Sequence, residues 1–150
     1  MFAGSAMTMK LFDPIFYSRT NKILMLDSDI LFFKKPLEIL ECMASDKGCF
    51  MSDYQNCYAV SSEESENIFN MKIRNHVNAG LIYIPVKKIY DLDLVEAYLK
   101  LAYENNVPIC HQLEQTIWAI LASRQRGLFI RLPDYYQISG QPVNEKTVSH

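Results

Sequence analysis

The sequence predicts a layered α/β fold, a mixed or parallel sheet flanked by helices, and three observations lead there. The run Lys22-Ile23-Leu24-Met25-Leu26 is apolar on both faces, which reads as a buried strand rather than a half-exposed one. Strand-like runs alternate along the chain with segments whose apolar residues recur at helical spacing. The 150 residues are 49% hydrophobic and 21% charged, a globular composition that fits a single domain over residues 1–150.

The first strand ends in Asp27-Ser28-Asp29. Ile30 to Phe33 forms a second apolar run, stopped by Lys34-Lys35-Pro36. Proline in a first helical turn costs no hydrogen bond, so a short helix is expected from Pro36 to about Met43. Gly48 to Met51 is a further strand candidate. Ser61 to Asn67 is polar, acidic and aperiodic, and is expected to be a solvated loop, with a mobile lid as the alternative. Val77 to Ile84 reads as strand, interrupted by Asn78-Ala79-Gly80 and closed by Pro85.

Two helices follow. Leu94, Val95, Tyr98, Leu101 and Ala102 recur at helical spacing, with Asp91 or Asp93 as cap and Pro108 as terminator. Leu113, Ile117, Ile120 and Leu121 form the apolar stripe of the next helix. His111, Glu114, Gln115 and Trp118 fall at i, i+3, i+4 and i+7 and so share another face of it. Gly127 to Leu132 is the last strand, bounded by Pro133. No internal repeat and no Pro/Gly linker divides the chain.

Charge and composition narrow the function classes. Fifteen basic against seventeen acidic residues is the wrong balance for affinity built on phosphate-backbone neutralisation, so no nucleic-acid partner is expected. The longest all-apolar run, Ile117 to Ala122, is far short of the ~20 residues of a spanning helix. The start, Met1-Phe2-Ala3-Gly4-Ser5-Ala6, carries no basic leader followed by an apolar stretch. Cys42, Cys49, Cys57 and Cys110 form no CxxC pair and lack zinc-type spacing, so buried free thiols in a reducing, cytoplasmic compartment are expected.

Asp27-Ser28-Asp29 is the most informative feature. Ligand crevices of open α/β sheets lie at strand carboxyl ends, where this pair falls. Two carboxylates two residues apart can share a hard divalent cation that keeps positions open for phosphate oxygens. Such an ion, Mg²⁺ or Mn²⁺, would stabilise a departing diphosphate. A simple turn or cap built by the two aspartates is the competing reading.

The string Lys22 to Phe32, with Asp27-Ser28-Asp29 inside it, resembles the DxD segment of GT-A-fold, nucleotide-sugar-dependent glycosyltransferases. Three downstream segments follow the same plan in order. Asn75-His76-Val77-Asn78-Ala79-Gly80-Leu81-Ile82 looks like the family's N-x-G strand, Glu114-Gln115-Thr116 is similar to the acidic-Gln helix start of family-8-type members, and Val148-Ser149-His150 resembles the late histidine that completes metal coordination. The resemblance spans about Lys10 to His150. It implies a GT-A-like fold, a Mn²⁺ or Mg²⁺ ion on Asp27, Asp29 and His150, and a donor sugar met by Ser28, Asn78, Ala79 and Gly80. It also implies a reaction centre lined by Glu114 and Gln115, with His111 towards the acceptor. The donor would be a nucleotide sugar, UDP-sugar preferred, and the acceptor a carbohydrate, protein or lipid.

Each residue keeps its own physical reading. The Asn78 amide suits a sugar hydroxyl, and Gly80 admits backbone close to a ligand or merely marks a bulge. Glu114 could serve as general base or charge stabiliser and Gln115 as a hydrogen-bonding partner, against a polar solvated helix face. Lys10 could meet phosphate or lie on the surface. Family members carry an amino-terminal βαβ portion for base and ribose, whereas 26 residues precede Asp27 here. The expectation is therefore the DxD-bearing portion of a catalytic domain, with exposed sheet edges that favour self-association. Two alternatives stand beside it: a haloacid-dehalogenase-like phosphatase with Asp27 as nucleophile, and a non-catalytic remnant of a glycosyltransferase.

Overall fold

Four strands form one mixed sheet with helices on both faces, as seen in a computed structural model that describes residues 9–136 and 144–149. The order along the chain is α1 (Met9–Tyr17), β1 (Lys22–Leu26), α2 (Leu37–Ser45), β2 (Gly48–Ser52), α3 (Ser62–Phe69), β3 (Val77–Pro85), α4 (Val86–Ile89), α5 (Leu92–Glu104), α6 (His111–Arg124) and β4 (Phe129–Arg131). Across the sheet the strands run β1-β3-β2-β4. β3 is antiparallel to both β1 and β2, and β4 is parallel to β2.

The pleat of β3 organises the interior. Side chains alternate across a strand, so Ile82 and Ile84 face one way and Leu81 and Tyr83 the other. Ile82 and Ile84 join Phe50, Trp118, Ile117 and Phe129 in the larger core beneath α5 and α6. Leu81 and Tyr83 join Ile39, Cys42, Cys49 and Met51 in a smaller core beneath α2. Because β3 is covered on both faces, its sequence is apolar without alternation from Leu81 onward. α6 is buried almost all round from Leu113 to Ala122, which is why its single apolar stripe understates how much of it is interior.

Two readings of the sequence change. β1 is an edge strand, with Leu24 and Leu26 exposed, rather than a buried central one. Apolarity on both faces cannot reveal how many neighbours a strand has. The apolar run Ile30 to Phe33 lies outside the sheet, and Phe32 makes an isolated bridge to Ser149. Ser61 to Asn67 is neither loop nor lid but most of α3. Ser61 caps it through a reciprocal pair in which the Glu64 N–H donates to Ser61 Oγ at 3.1 Å and the Ser61 N–H donates to Glu64 Oε2 at 2.7 Å. The signature Ser-x-x-Glu was present in the sequence, and the buried Ser65 and Phe69 anchor the helix inward.

The remaining elements fall close to expectation. Asp91 caps α5 by accepting from the Leu94 N–H at 3.2 Å, and Pro36 immediately precedes α2. Cys42, Cys49, Cys57 and Cys110 are free thiols, the first two buried. No described helix is long and apolar enough to cross a membrane.

Gly48 opens β2 where no side chain fits. A Cβ there would meet Ile89 Cδ1 at 2.4 Å and Phe129 Cδ2 at 2.7 Å. Gly48→Ala should therefore destabilise the fold by about 1–3 kcal/mol, the cost of overpacking a dense core. Urea denaturation would check this, and an unchanged midpoint would refute it.

Candidate functional site

The site forms at one end of the sheet, where β1 and β2 finish, β3 begins and α6 starts. β1 hands the chain to Asp27, whose N–H donates to the Gly80 carbonyl at 2.8 Å and so prolongs the β1–β3 pairing by one rung. The chain then turns, with the Ile30 N–H donating to the Asp27 carbonyl at 3.1 Å. Ser28 and Asp29 lie exposed on that turn.

On the other side of β3 the pairing with β2 breaks. Phe50 pairs with Ile82 and Met51 with Asn78, so Ala79, Gly80 and Leu81 stand opposite no residue of β2. The Asn78 side chain fills the break. Its Oδ1 accepts from the Gly80 N–H at 2.7 Å, and its Nδ2 donates to Asp53 Oδ2 at 3.3 Å. Gly80 leaves room for two polar side chains: a Cβ would lie 2.8 Å from Asn78 Oδ1 and 3.1 Å from Asp27 Oδ2, so a larger residue would displace them.

Asp53, the residue after β2, is the hub. The same Oδ2 that accepts from Asn78 also accepts from Gln115 Nε2 at 3.3 Å. Its backbone is tied to His76, whose carbonyl accepts from the Asp53 N–H at 3.0 Å and whose Nδ1 lies 3.1 Å from the Asp53 carbonyl. A carbonyl can only accept, so His76 Nδ1 carries the proton. His76 adopts φ 60, the left-handed region, and its N–H is held by Asn56 Oδ1 at 2.8 Å.

α1 and α6 complete the set. Lys10 of α1 forms an ion pair with Asp27. Glu114 is almost fully buried in the first turn of α6, and neither its Oε1 nor the Trp118 indole N–H has a hydrogen-bond partner among the described residues. Burial pushes the Glu114 carboxyl up from its ordinary 4.5 to about 7. The Lys10 ammonium opposes that shift, the Asp27 carboxylate adds to it, and the nearby Trp118 indole opposes it. The charges of Lys10 and Asp27 thus reach Glu114, linking α6 to the end of β1.

Of the residues singled out in the sequence, the fold brings Asp27, Asn78, Gly80, Glu114 and Gln115 into one connected array. Ala79 sits half-buried within the break, and His111 is exposed at the start of α6. His150 lies outside the described residues. Among the described residues, no group of three or more His, Cys, Asp or Glu side chains is arranged to hold a metal ion. One member of the array, Asp53, has no place among the residues the sequence singles out, although it follows a buried apolar strand just as Asp27 does. Lys10, expected either to meet phosphate or to lie on the surface, reaches the site through the packing of α1.

The raised Glu114 pKa has a consequence for stability. The folded state holds this proton more tightly than the unfolded chain, so the contribution is fully present below pH 4.5 and is lost as pH rises through about 7. Glu114→Gln removes the titration. Relative to the parent, the variant should gain stability between a pH below 4.5 and one above 7, measured by chemical denaturation. Parallel pH profiles for the two proteins would refute it.

No protein-family model and no curated protein sequence matches the chain. Its fold is similar to the crystal structure of mouse xyloside xylosyltransferase 1 in its apo form, with a TM-score of 0.56 and 13% identity. That match covers 86% of this chain and 51% of the other, so the chain spans about half the length of the structure it matches. The likeness is one of fold, and the architecture of the chain is GT-A-like.

Proposed function

We propose that this chain is the sugar- and diphosphate-binding portion of a glycosyltransferase, one that moves a sugar from a nucleoside-diphosphate sugar to an acceptor hydroxyl. The observation that carries the reading is the unbroken array from Lys10 and Asp27 through Gly80, Asn78 and Asp53 to Gln115. Acids, amides and an ammonium meet there at the sheet end where open α/β folds bind ligands.

Each side chain has a task that its chemistry permits. Asp53 orients two amides at once, and Asn78 and Gln115 each keep a second N–H, and Gln115 its carbonyl oxygen, for sugar hydroxyls. Glu114, with a pKa near 7 and an unpartnered oxygen, can hold or release a proton at neutral pH, as a group beside a reacting hydroxyl must. Gly80 lets backbone approach the donor. The Lys10 ammonium, already beside Asp27, supplies positive charge for a diphosphate.

A divalent cation would take the place beside Asp27 that the Lys10 ammonium holds in this structure. Asp27 and Asp29 offer hard carboxylate oxygens, too few to enclose an ion, which suits one that shares its coordination with a diphosphate and water. Mn²⁺ or Mg²⁺ would be held by Asp27 and Asp29, with His150 as the further ligand, and when bound would neutralise the leaving diphosphate. UDP is the nucleotide we expect.

A second reading is a non-catalytic remnant that keeps the sheet without binding nucleotide. Isothermal titration separates the two. Under the transferase reading UDP binding strengthens in the presence of Mn²⁺, and Asp29→Ala weakens it at least tenfold. Asp29 is exposed, so the fold should be unaffected. Failure of UDP to bind with or without Mn²⁺ would favour the remnant. Gly80→Ala provides an independent check, because the added methyl displaces Asn78 and Asp27 together. UDP affinity should fall at least tenfold in that variant, and retained affinity would exclude Gly80 and its neighbours from the binding site.

A further inference from the structure

A second cleft adjoins the array. It encloses about 350 Å³ between the segment after β2, the start of α3 and the approach to β3, and Asn56, Tyr58, Val60, Ser61, Ile73 and Asn75 are among its lining residues. We infer that this cleft binds one neutral pyranose ring of a carbohydrate acceptor, an assignment that rests on the transferase reading for the word acceptor but not for the binding itself.

The lining selects the ligand class. No residue around the cleft is charged. Val60 and Ile73 are buried and give an apolar floor, and the Tyr58 ring adds a wall, suited to the C–H face of a sugar. Two carboxamides stand at the rim. Asn75 Oδ1 accepts from Asn56 Nδ2 at 3.3 Å, which leaves the Asn75 amide N–H groups available to hydroxyls. Anions are disfavoured because Glu63 and Glu64 occupy the first turn of α3 immediately beyond Ser61 and Ser62. A volume near 350 Å³ is at the small end of ligand sites, which suits one ring rather than a nucleotide.

The cleft is also wired to the array. Asn56 Oδ1 accepts from the His76 N–H at 2.8 Å, and His76 is bonded to Asp53, which orients Asn78 and Gln115. On the other side the Ala59 N–H donates to Thr116 Oγ1 at 2.9 Å, next to Gln115 on α6. A ring held here would sit beside the residues proposed to line the donor sugar.

Backbone amide chemical-shift mapping of the full chain with neutral methyl pyranosides tests the assignment. Shifts should cluster at Asn56, Tyr58, Val60 and Asn75, and methyl glucuronide should give weaker shifts at the same residues. Asn75→Ala, at an exposed position, should weaken the saccharide roughly three- to tenfold while UDP affinity stays within twofold. Saccharide shifts in the cleft without any UDP binding would uphold the site and sink the transferase reading alone. Intact UDP binding with no saccharide shifts in the cleft, or with equal response to the glucuronide, would overturn this inference.

Discussion

The candidate site depends on a rung of sheet that β3 withholds from β2. Three residues, Ala79 to Leu81, find no partner there, and a carboxamide from Asn78 takes up the Gly80 N–H in place of a strand carbonyl. An unpaired backbone donor in so enclosed a position would cost a few kcal/mol at most, and the side chain removes that cost. The break interrupts an otherwise continuous ladder, and the side chains of Asp27 and Asn78 both come close to Gly80 there. Interrupted pairing is thus what turns the end of a sheet into a place where polar side chains converge.

Electrostatics then gives the place its character. One carboxylate oxygen of Asp53 serves two amides, and Asp27 is balanced by Lys10. Glu114 Oε1 has no hydrogen-bond partner among the described residues, nor has the nearby Trp118 indole N–H, and burial pushes the Glu114 carboxyl up to about 7. Structural carboxylates in a core are normally hydrogen-bonded, so an orphaned pair of buried polar groups at the mouth of a polar array is the arrangement a ligand would complete. The neighbouring cleft differs in kind: it is lined by uncharged amides, hydroxyls, aliphatic groups and the Tyr58 ring, and is joined to the array through His76, Thr116 and the Val77 N–H that donates to Tyr58 Oη. The charged side chains of the array gather on one side of the Asp53 segment, whereas the residues lining the cleft on the other side are uncharged.

Much of the fold was legible in order and type. β1, β2, β3, α2, α5 and α6 all lie close to where periodicity and caps put them, because their patterns are set by local geometry and by which faces are dry. α3 was legible too, through Ser61 and Glu64, but a polar composition masked it; capping chemistry outweighs mean hydropathy in a short surface helix. α1 left no comparable sign. Within the site, Asp27 and Asn78 stood out because acids and amides beside apolar strands are conspicuous, and Asp53 obeyed the same rule without being noticed. Lys10 could not be found that way, since a lysine on an amphipathic helix looks the same whether it meets water or an aspartate.

The sequence by itself determined the alternation of strands and helices and the chemical types gathered near strand ends. These follow from periodicity, and periodicity is a property of neighbours along the chain. Only the tertiary structure decided that β1 is an edge, that β2–β3 pairing breaks at Gly80, and that Asp53 joins residues from β3 and α6. Those facts depend on contacts between segments some 25 to 62 residues apart, and no local pattern encodes which distant carboxylate two amides will share.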